Sequence, residues 1–235
     1  GINAMRIHGA NVVGVEMDEE GMELDGLEHA FRTEPNVKLL YVIPTFQNPS
    51  GKTMSLARRK AIYALCVKYG VMILEDNPYG ELRFRGEDIP TFKSMDDEGI
   101  VIYNGSYSKV LSAGMRIGFV MAQKDVLQRL TVAKQFSDCH SNIFFQIVTD
   151  EWLRTADVDA HIAKIRKIYR ERCDFMLKLL DEHMDKRVTY TRPDGGLFLW
   201  CTLPKGSDML AFCKAAVDRG VAMVPGSAFL TDDHG

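Results

Sequence analysis

Most of the features that would assign a function by default are missing from this sequence. No apolar stretch approaches the roughly 20 residues that a membrane-spanning helix needs, and no leader-like segment precedes the first patterned run. Charge of one sign is lacking too. With 29 Lys+Arg against 32 Asp+Glu, a formal net charge of −3 leaves no footprint for nucleic acid or an anionic membrane surface. Cysteines are five, scattered over Cys66, Cys139, Cys173, Cys201 and Cys213, with no C-x-x-C pair. That pattern argues against a disulfide framework and for reduced thiols in a cytoplasmic protein. Cys139-His140 has no second ligand pair at usable spacing, so a packed thiol beside a polar histidine is preferred and no metal is expected. Neither G-x-G-x-x-G after a strand nor G-x-x-x-x-G-K-[ST] occurs, which leaves dinucleotide and P-loop chemistry without support.

What is present is ordinary globular composition, 46% hydrophobic and 26% charged over 235 residues, enough for one sizeable core or one and a half domains. Short apolar runs alternate with helical patterns, the mark of an α/β chain built from βαβ units. Strands are predicted over 37–43, 71–74, 100–104 and 117–122, with a strand-like run at 12–15. Between the first two, Ser55 is a plausible N-cap. Ala61, Ile62, Leu65, Cys66 and Tyr69 then recur at helical spacing until Gly70. Helices are also predicted around Val126, Leu130 and Ala133 and over 144–153. Methionines such as Met72, Met115, Met121 and Met176 read as core fillers.

After Ala156-Asp157 the texture changes. Ile162, Ile165, Tyr169, Met176, Leu179 and Leu180 line one side of a long helix over about 159–185, either a link between domains or a surface helix with one buried face. A smaller α/β unit follows: strands at 188–191, 197–201 and 221–224, a Gly195-Gly196 turn and a helix over 207–219. The predicted division is 1–155 and 156–235. A start at Gly1 and an end soon after Pro225-Gly226, with no closing element, suggest a piece of a longer protein.

Polar residues follow three of the strands. Asn48 lies in Pro44-Thr45-Phe46-Gln47-Asn48-Pro49-Ser50-Gly51, and Asp76 and Tyr79 in Glu75-Asp76-Asn77-Pro78-Tyr79. Ser106-Tyr107-Ser108-Lys109 comes third, with Arg116 seven positions beyond the lysine. Right-handed crossovers put such loops on one sheet edge, where open α/β sheets bind ligands. Pyridoxal 5'-phosphate would use every one of them. Lys109 would form a Schiff base and later serve as general base. Asp76 would pair with the protonated pyridine nitrogen through a charge-assisted bond worth about 1.5–3 kcal/mol. Asn48 and Tyr79 would reach the ring oxygen, and Ser106, Ser108 and a bidentate Arg116 the phosphate. Singly, each has a plainer reading: a turn aspartate, an Asn-Pro turn, a packed tyrosine, a surface arginine.

With Arg116-Ile117-Gly118, these segments resemble the class I/II aminotransferases of the fold-type-I pyridoxal-phosphate enzymes. Phe46 to Gly51 and Leu111 to Gly118 are similar to the aminoadipate, kynurenine and broad-specificity members. Pro193-Asp194-Gly195-Gly196-Leu197-Phe198-Leu199-Trp200 resembles the family's small-domain turn and strand. The resemblance implies a mainly parallel large-domain sheet with flanking helices and part of a smaller C-terminal domain. It also implies a homodimer exchanging an amino group between an amino acid and a 2-oxo acid, with the site roles just given. Two expected parts are not found in the sequence: an N-terminal portion with a phosphate-binding helix end and a ring-stacking aromatic, and an arginine beyond the Pro-Gly turn that grips a substrate carboxylate. Three other readings compete. Ser106-x-x-Lys109 fits a β-lactamase motif but lacks its Ser-Asp-Asn and Lys-Thr-Gly partners. A pyridoxal-phosphate lyase or decarboxylase would share the ring-binding residues. An effector-sensing domain of a transcription regulator would need a DNA-binding module that these residues do not contain.

Overall fold

Four short strands pair as one sheet, two of them with alternating burial, and the rest of the chain packs around it. The computed structural model describes residues 1–231; the 232–235 segment, where the sequence suggests an end without a closing element, lies outside the described residues. In chain order the elements begin with α1 (Ile2–Ile7), the antiparallel pair β1 (Met17–Asp18) and β2 (Gly21–Met22), and α2 (Leu24–Thr33). Then come β3 (Leu39–Val42), α3 (Leu56–Tyr69), β4 (Met72–Asp76), β5 (Val101–Ser106) and β6 (Gly118–Met121). Helices α4 (Lys124–Ser137), α5 (Ile143–Thr155) and α6 (Val158–His183) follow. The pair β7 (Thr189–Tyr190) and β8 (Cys201–Thr202) precedes α7 (Met209–Val217).

The sheet order is β3-β4-β5-β6. Leu39 pairs with Met72 and Ile73 with Val101 in parallel, whereas Tyr103 pairs with Met121 antiparallel. The sheet is thus mainly parallel with one reversed edge. All four residues of β6 are exposed, Phe119, Val120 and Met121 at 40%, 41% and 45%. Helix α3 is set by its ends: Ser55 Oγ accepts from Arg58 N at 3.2 Å, and Gly70 closes it at φ +65°. It buries Arg59, Ile62 and Cys66 against Leu40, Val42, Ile73, Phe92 and Val101. Burial pushes the Cys66 thiol up to about 12, so it behaves as an inert core group. A second cluster of Phe46, Tyr79 and Leu82 packs on Ile165 and Tyr169 of α6 and on Phe198, tying α6 to the strand ends.

Two expected strands do not form, and of the one expected over 197–201 only Cys201 is strand, at the start of β8. Residues 12–15 and 221–224 have no ladder, and Val13, Val221 and Val224 are 46%, 55% and 66% exposed. A β-branched run gains little without a neighbouring strand, and none of the described residues supplies one. Leu177, not Met176, continues the buried stripe of α6. Met176 and Met121 face outward, while Met115 is buried. None of the five cysteines is bonded to another.

Arg59 is the largest fully buried side chain. Its Nε donates to Met54 O at 3.1 Å, Nη1 to Pro90 O at 2.9 Å, and Nη2 to Pro44 O at 3.0 Å and Thr45 Oγ1 at 2.9 Å. Burial lowers its pKa to about 10, opposed by the charge of Glu75, so it stays a cation at neutral pH. Glu75, itself raised by burial, accepts from Phe92 N at 3.0 Å and Lys93 N at 2.8 Å. Replacing Arg59 with methionine keeps volume but withdraws a donor from four acceptors and a countercharge from Glu75. The expected loss is about 3–5 kcal/mol, read as a lower urea midpoint at unchanged slope.

Candidate active site

Because β3, β4 and β5 run parallel, the chain leaves all three at one edge. Asp76 closes β4 opposite Asn104 of β5, and its carboxylate is held on both sides. The Tyr41 hydroxyl donates to Oδ2 and Asn104 Nδ2 to Oδ1, each at 2.8 Å. Burial and the neighbouring Asp76 charge push the Tyr41 phenol well above its ordinary range. Tyr79 lies three residues past Asp76. Burial raises its phenol, the Asn48 amide opposes this, and Asp76 adds to it. Asn48 Nδ2 reaches Tyr79 Oη at 3.5 Å, a weak bond at best. The Asn48–Pro49 peptide is cis.

The remaining expected residues share one loop. Ser106 Oγ accepts from Ser108 N at 3.1 Å, turning the chain just after β5. Ser106 pairs with Gly118 and Tyr107 N donates to Ile117 O at 3.1 Å, so Arg116 stands beside this loop. Arg116 adopts φ +59°, an uncommon left-handed value for a side chain of its size, and its Nη1 donates to Ala113 O at 3.0 Å. Lys109 is half-buried, and among the described residues no hydrogen-bond partner reaches its Nζ. His161 of α6 donates from Nε2 to Val110 O at 2.7 Å, anchoring the residue after the lysine.

The seven expected residues therefore fall into two groups. Asn48, Asp76 and Tyr79 interact with one another, whereas Ser106, Ser108, Lys109 and Arg116 form a second set joined to the first through Asn104. Tyr41 and Asn104 are not among them. A polar amide inside the run Val101-Ile102-Tyr103-Asn104 is the signal that could have found the second. A separate cleft of about 450 Å³ between α6 and residues 192–194 is lined by Arg85, Asp174, Asp181 and Arg192 and by none of the seven. Its charges are already paired as Arg85–Asp174 and Arg192–Asp181.

The turn at Gly195-Gly196 packs against Phe46 and the segment that follows Tyr79. Phe84 N and Arg85 N donate to Asp194 O at 2.9 and 3.0 Å, and Gly196 N to Leu82 O at 3.1 Å. Phe198 meets the Tyr79 ring edge-on at 5.3 Å.

The sequence profile described as Aminotransferase class I and II matches residues 2–235. The chain belongs to the class I and II aminotransferase family. Within that family, Aromatic-amino-acid aminotransferase 1 of Thermococcus litoralis is 43% identical over 97% of this chain and 56% of its own length. The α-aminoadipate aminotransferase LysN of Thermus thermophilus was solved with N-(5'-phosphopyridoxyl)-L-leucine. It superposes with a TM-score of 0.92 at 37% identity, over 98% of this chain and 59% of its own. YisV, an uncharacterized HTH-type transcriptional regulator of Bacillus subtilis, is 34% identical over 96% of this chain and 46% of its own. The chain thus spans between 46% and 59% of these three relatives. The α/β fold expected from the sequence is the aminotransferase fold.

In this aminotransferase-family chain a Cβ on Gly195 would lie 2.2 Å from Phe46 Cζ and 2.6 Å from Leu82 O, and backbone cannot yield cheaply. Gly195→Ala should cost about 1–3 kcal/mol through overpacking and unseat Phe198 from Tyr79. The checks are the melting temperature and protease cleavage near residue 195, which should appear first in the variant.

Proposed function

We propose that the intact polypeptide is a pyridoxal-phosphate-dependent aminotransferase that moves an amino group between an amino acid and a 2-oxo acid. The observation carrying this reading is the Asp76 carboxylate, clamped by two donors at the sheet edge from which the Lys109 loop departs. The donor set fits the cofactor: an acceptor for a ring N–H, a phenol and an amide, an amine, two hydroxyls and a guanidinium. When bound, pyridoxal phosphate supplies an aldehyde carbon and an electron-withdrawing ring. Asp76 pairs with the ring nitrogen and keeps its proton in place. Tyr79 and Asn48 hydrogen-bond the ring oxygen. Ser106, Ser108 and Arg116 hold the phosphate, the arginine in the bidentate manner that a lysine cannot match. The Lys109 amine would hold the aldehyde covalently, and its Nζ would be the base placed to take the substrate α-proton and return it.

The same reading takes residues 1–155 as most of the cofactor-binding domain and 156–235 as the linking helix with part of a smaller one. It also takes the enzyme as a cytoplasmic homodimer. Exposed apolar residues on α4 and α5, Phe136 at 86% and Phe144 at 64%, support burial against further protein. Among the described residues no helix is long and apolar enough to cross a membrane. Relatives' names make aromatic amino acids and 2-aminoadipate the donors to assay. Similarity to a transcriptional regulator favours a second reading, in which the domain binds cofactor and effector without turnover. Amino transfer to a 2-oxo acid separates the two.

Borohydride should fix the cofactor irreversibly to the wild-type protein and leave none on Lys109→Ala; an adduct surviving in that variant refutes the role of this lysine. Asp76→Ala should lower kcat by about a thousand-fold and cofactor affinity by only about ten-fold. Equal losses in both would make Asp76 a structural residue.

A further inference from the structure

Asp76 is flanked by side chains from both neighbouring strands, and neither belongs to the segments that carry the family resemblance. In the parallel ladders Tyr41 lies opposite Leu74, and Asn104 opposite Asp76. Leu74 and Asp76 project to the same face of β4, so Tyr41, Asp76 and Asn104 share one side of the sheet. The phenol then reaches Oδ2 diagonally and the amide reaches Oδ1 directly, both at 2.8 Å. A carboxylate has about four lone-pair sites, so two donors leave room for a third. With both oxygens held, the carboxylate can no longer turn freely about its Cβ–Cγ bond.

We propose that Tyr41 and Asn104 are positioning residues that clamp the Asp76 carboxylate in the orientation from which it pairs with the protonated ring nitrogen of the cofactor. This rests on the aminotransferase reading and deepens it, because the clamp decides how well the ring keeps its proton. Burial and the Asp76 charge keep the Tyr41 hydroxyl protonated across any working pH, so it remains a donor throughout. Its aromatic ring is also buttressed: a Cβ at Gly1 would lie 3.1 Å from Tyr41 Cε1. Loss of the hydroxyl therefore removes a hydrogen bond and leaves the ring's packing intact. On the other flank, the Asn104 amide has both the reach and the donor that a leucine of similar size lacks.

The test uses holoenzyme reconstituted with pyridoxal phosphate labelled with ¹⁵N in the ring, comparing wild type, Tyr41→Phe and Asn104→Leu. Wild type should show the ¹⁵N resonance of a protonated pyridine. Each variant should move it toward the unprotonated position, and cofactor should bind about three- to ten-fold more weakly. Lower melting temperature with an unmoved resonance in both variants would overturn the proposal, since a purely structural role predicts that pattern. An unmoved resonance with unchanged affinity would overturn it equally. Wild-type protein that takes up no labelled cofactor would instead bring down the aminotransferase reading, and this one with it.

Discussion

The loop carrying Asn48 has no strand to pair with, and its two ends are held by one guanidinium. Arg59 bonds Pro44 O and Thr45 Oγ1 where the loop leaves β3 and Met54 O where it enters α3. It also bonds Pro90 O, on a different connection. Burying a cation costs several kcal/mol, repaid only when its donors are satisfied, and a planar fork meets that demand where an ammonium would not. With the ends fixed, the interior can adopt the left-handed values at Phe46 and Gly51, φ +51° and +69°. Gln47 N donates to Lys52 O and Gly51 N to Gln47 O, closing the loop on itself. The placement of Asn48, of Phe46 under the Gly195 turn, and hence of Phe198 on Tyr79 follows from that one buried charge.

From this anchor the site is a matter of register. Parallel pairing brings Asp76 level with Asn104, and β5 then delivers Ser106 and Lys109 a few residues later. The reversed β6 returns Arg116 to the same end, which a parallel strand at that position would not do. Chemistry gathered from four strands thus needs only short loops, and α6 braces two of them through Ile165, Tyr169 and His161.

Much of this was legible before any coordinates. A polar residue directly after an apolar run marks a strand end, which is how Asp76, Asn48 and Lys109 declare themselves. Helix α3 was readable at both ends because Ser55 and Gly70 are cap residues with a mechanism. Other parts were hidden for physical reasons. Arg59 reads as a surface residue of an amphipathic helix until its acceptors, distant in sequence, are known. Tyr41 and Asn104 sit inside strands whose apolar neighbours mask their polar tips. The runs at 12–15 and 221–224 have strand-like composition, and composition says nothing about whether a partner strand is at hand. Helix α2 carried a stripe of Leu24, Leu27 and Phe31 that local spacing supports but acidic neighbours obscure.

The exposed strand β6 has one further effect. It closes the sheet on one side, and among the described residues it is bonded to β5 along one flank and to no other strand along its second. Phe119 and Met121 stand exposed on this edge strand. Main-chain ladders are indifferent to sequence, so this is where an added polypeptide docks with least rearrangement. The edge that carries Arg116 at its start is thus also the edge at which further polypeptide would extend the sheet.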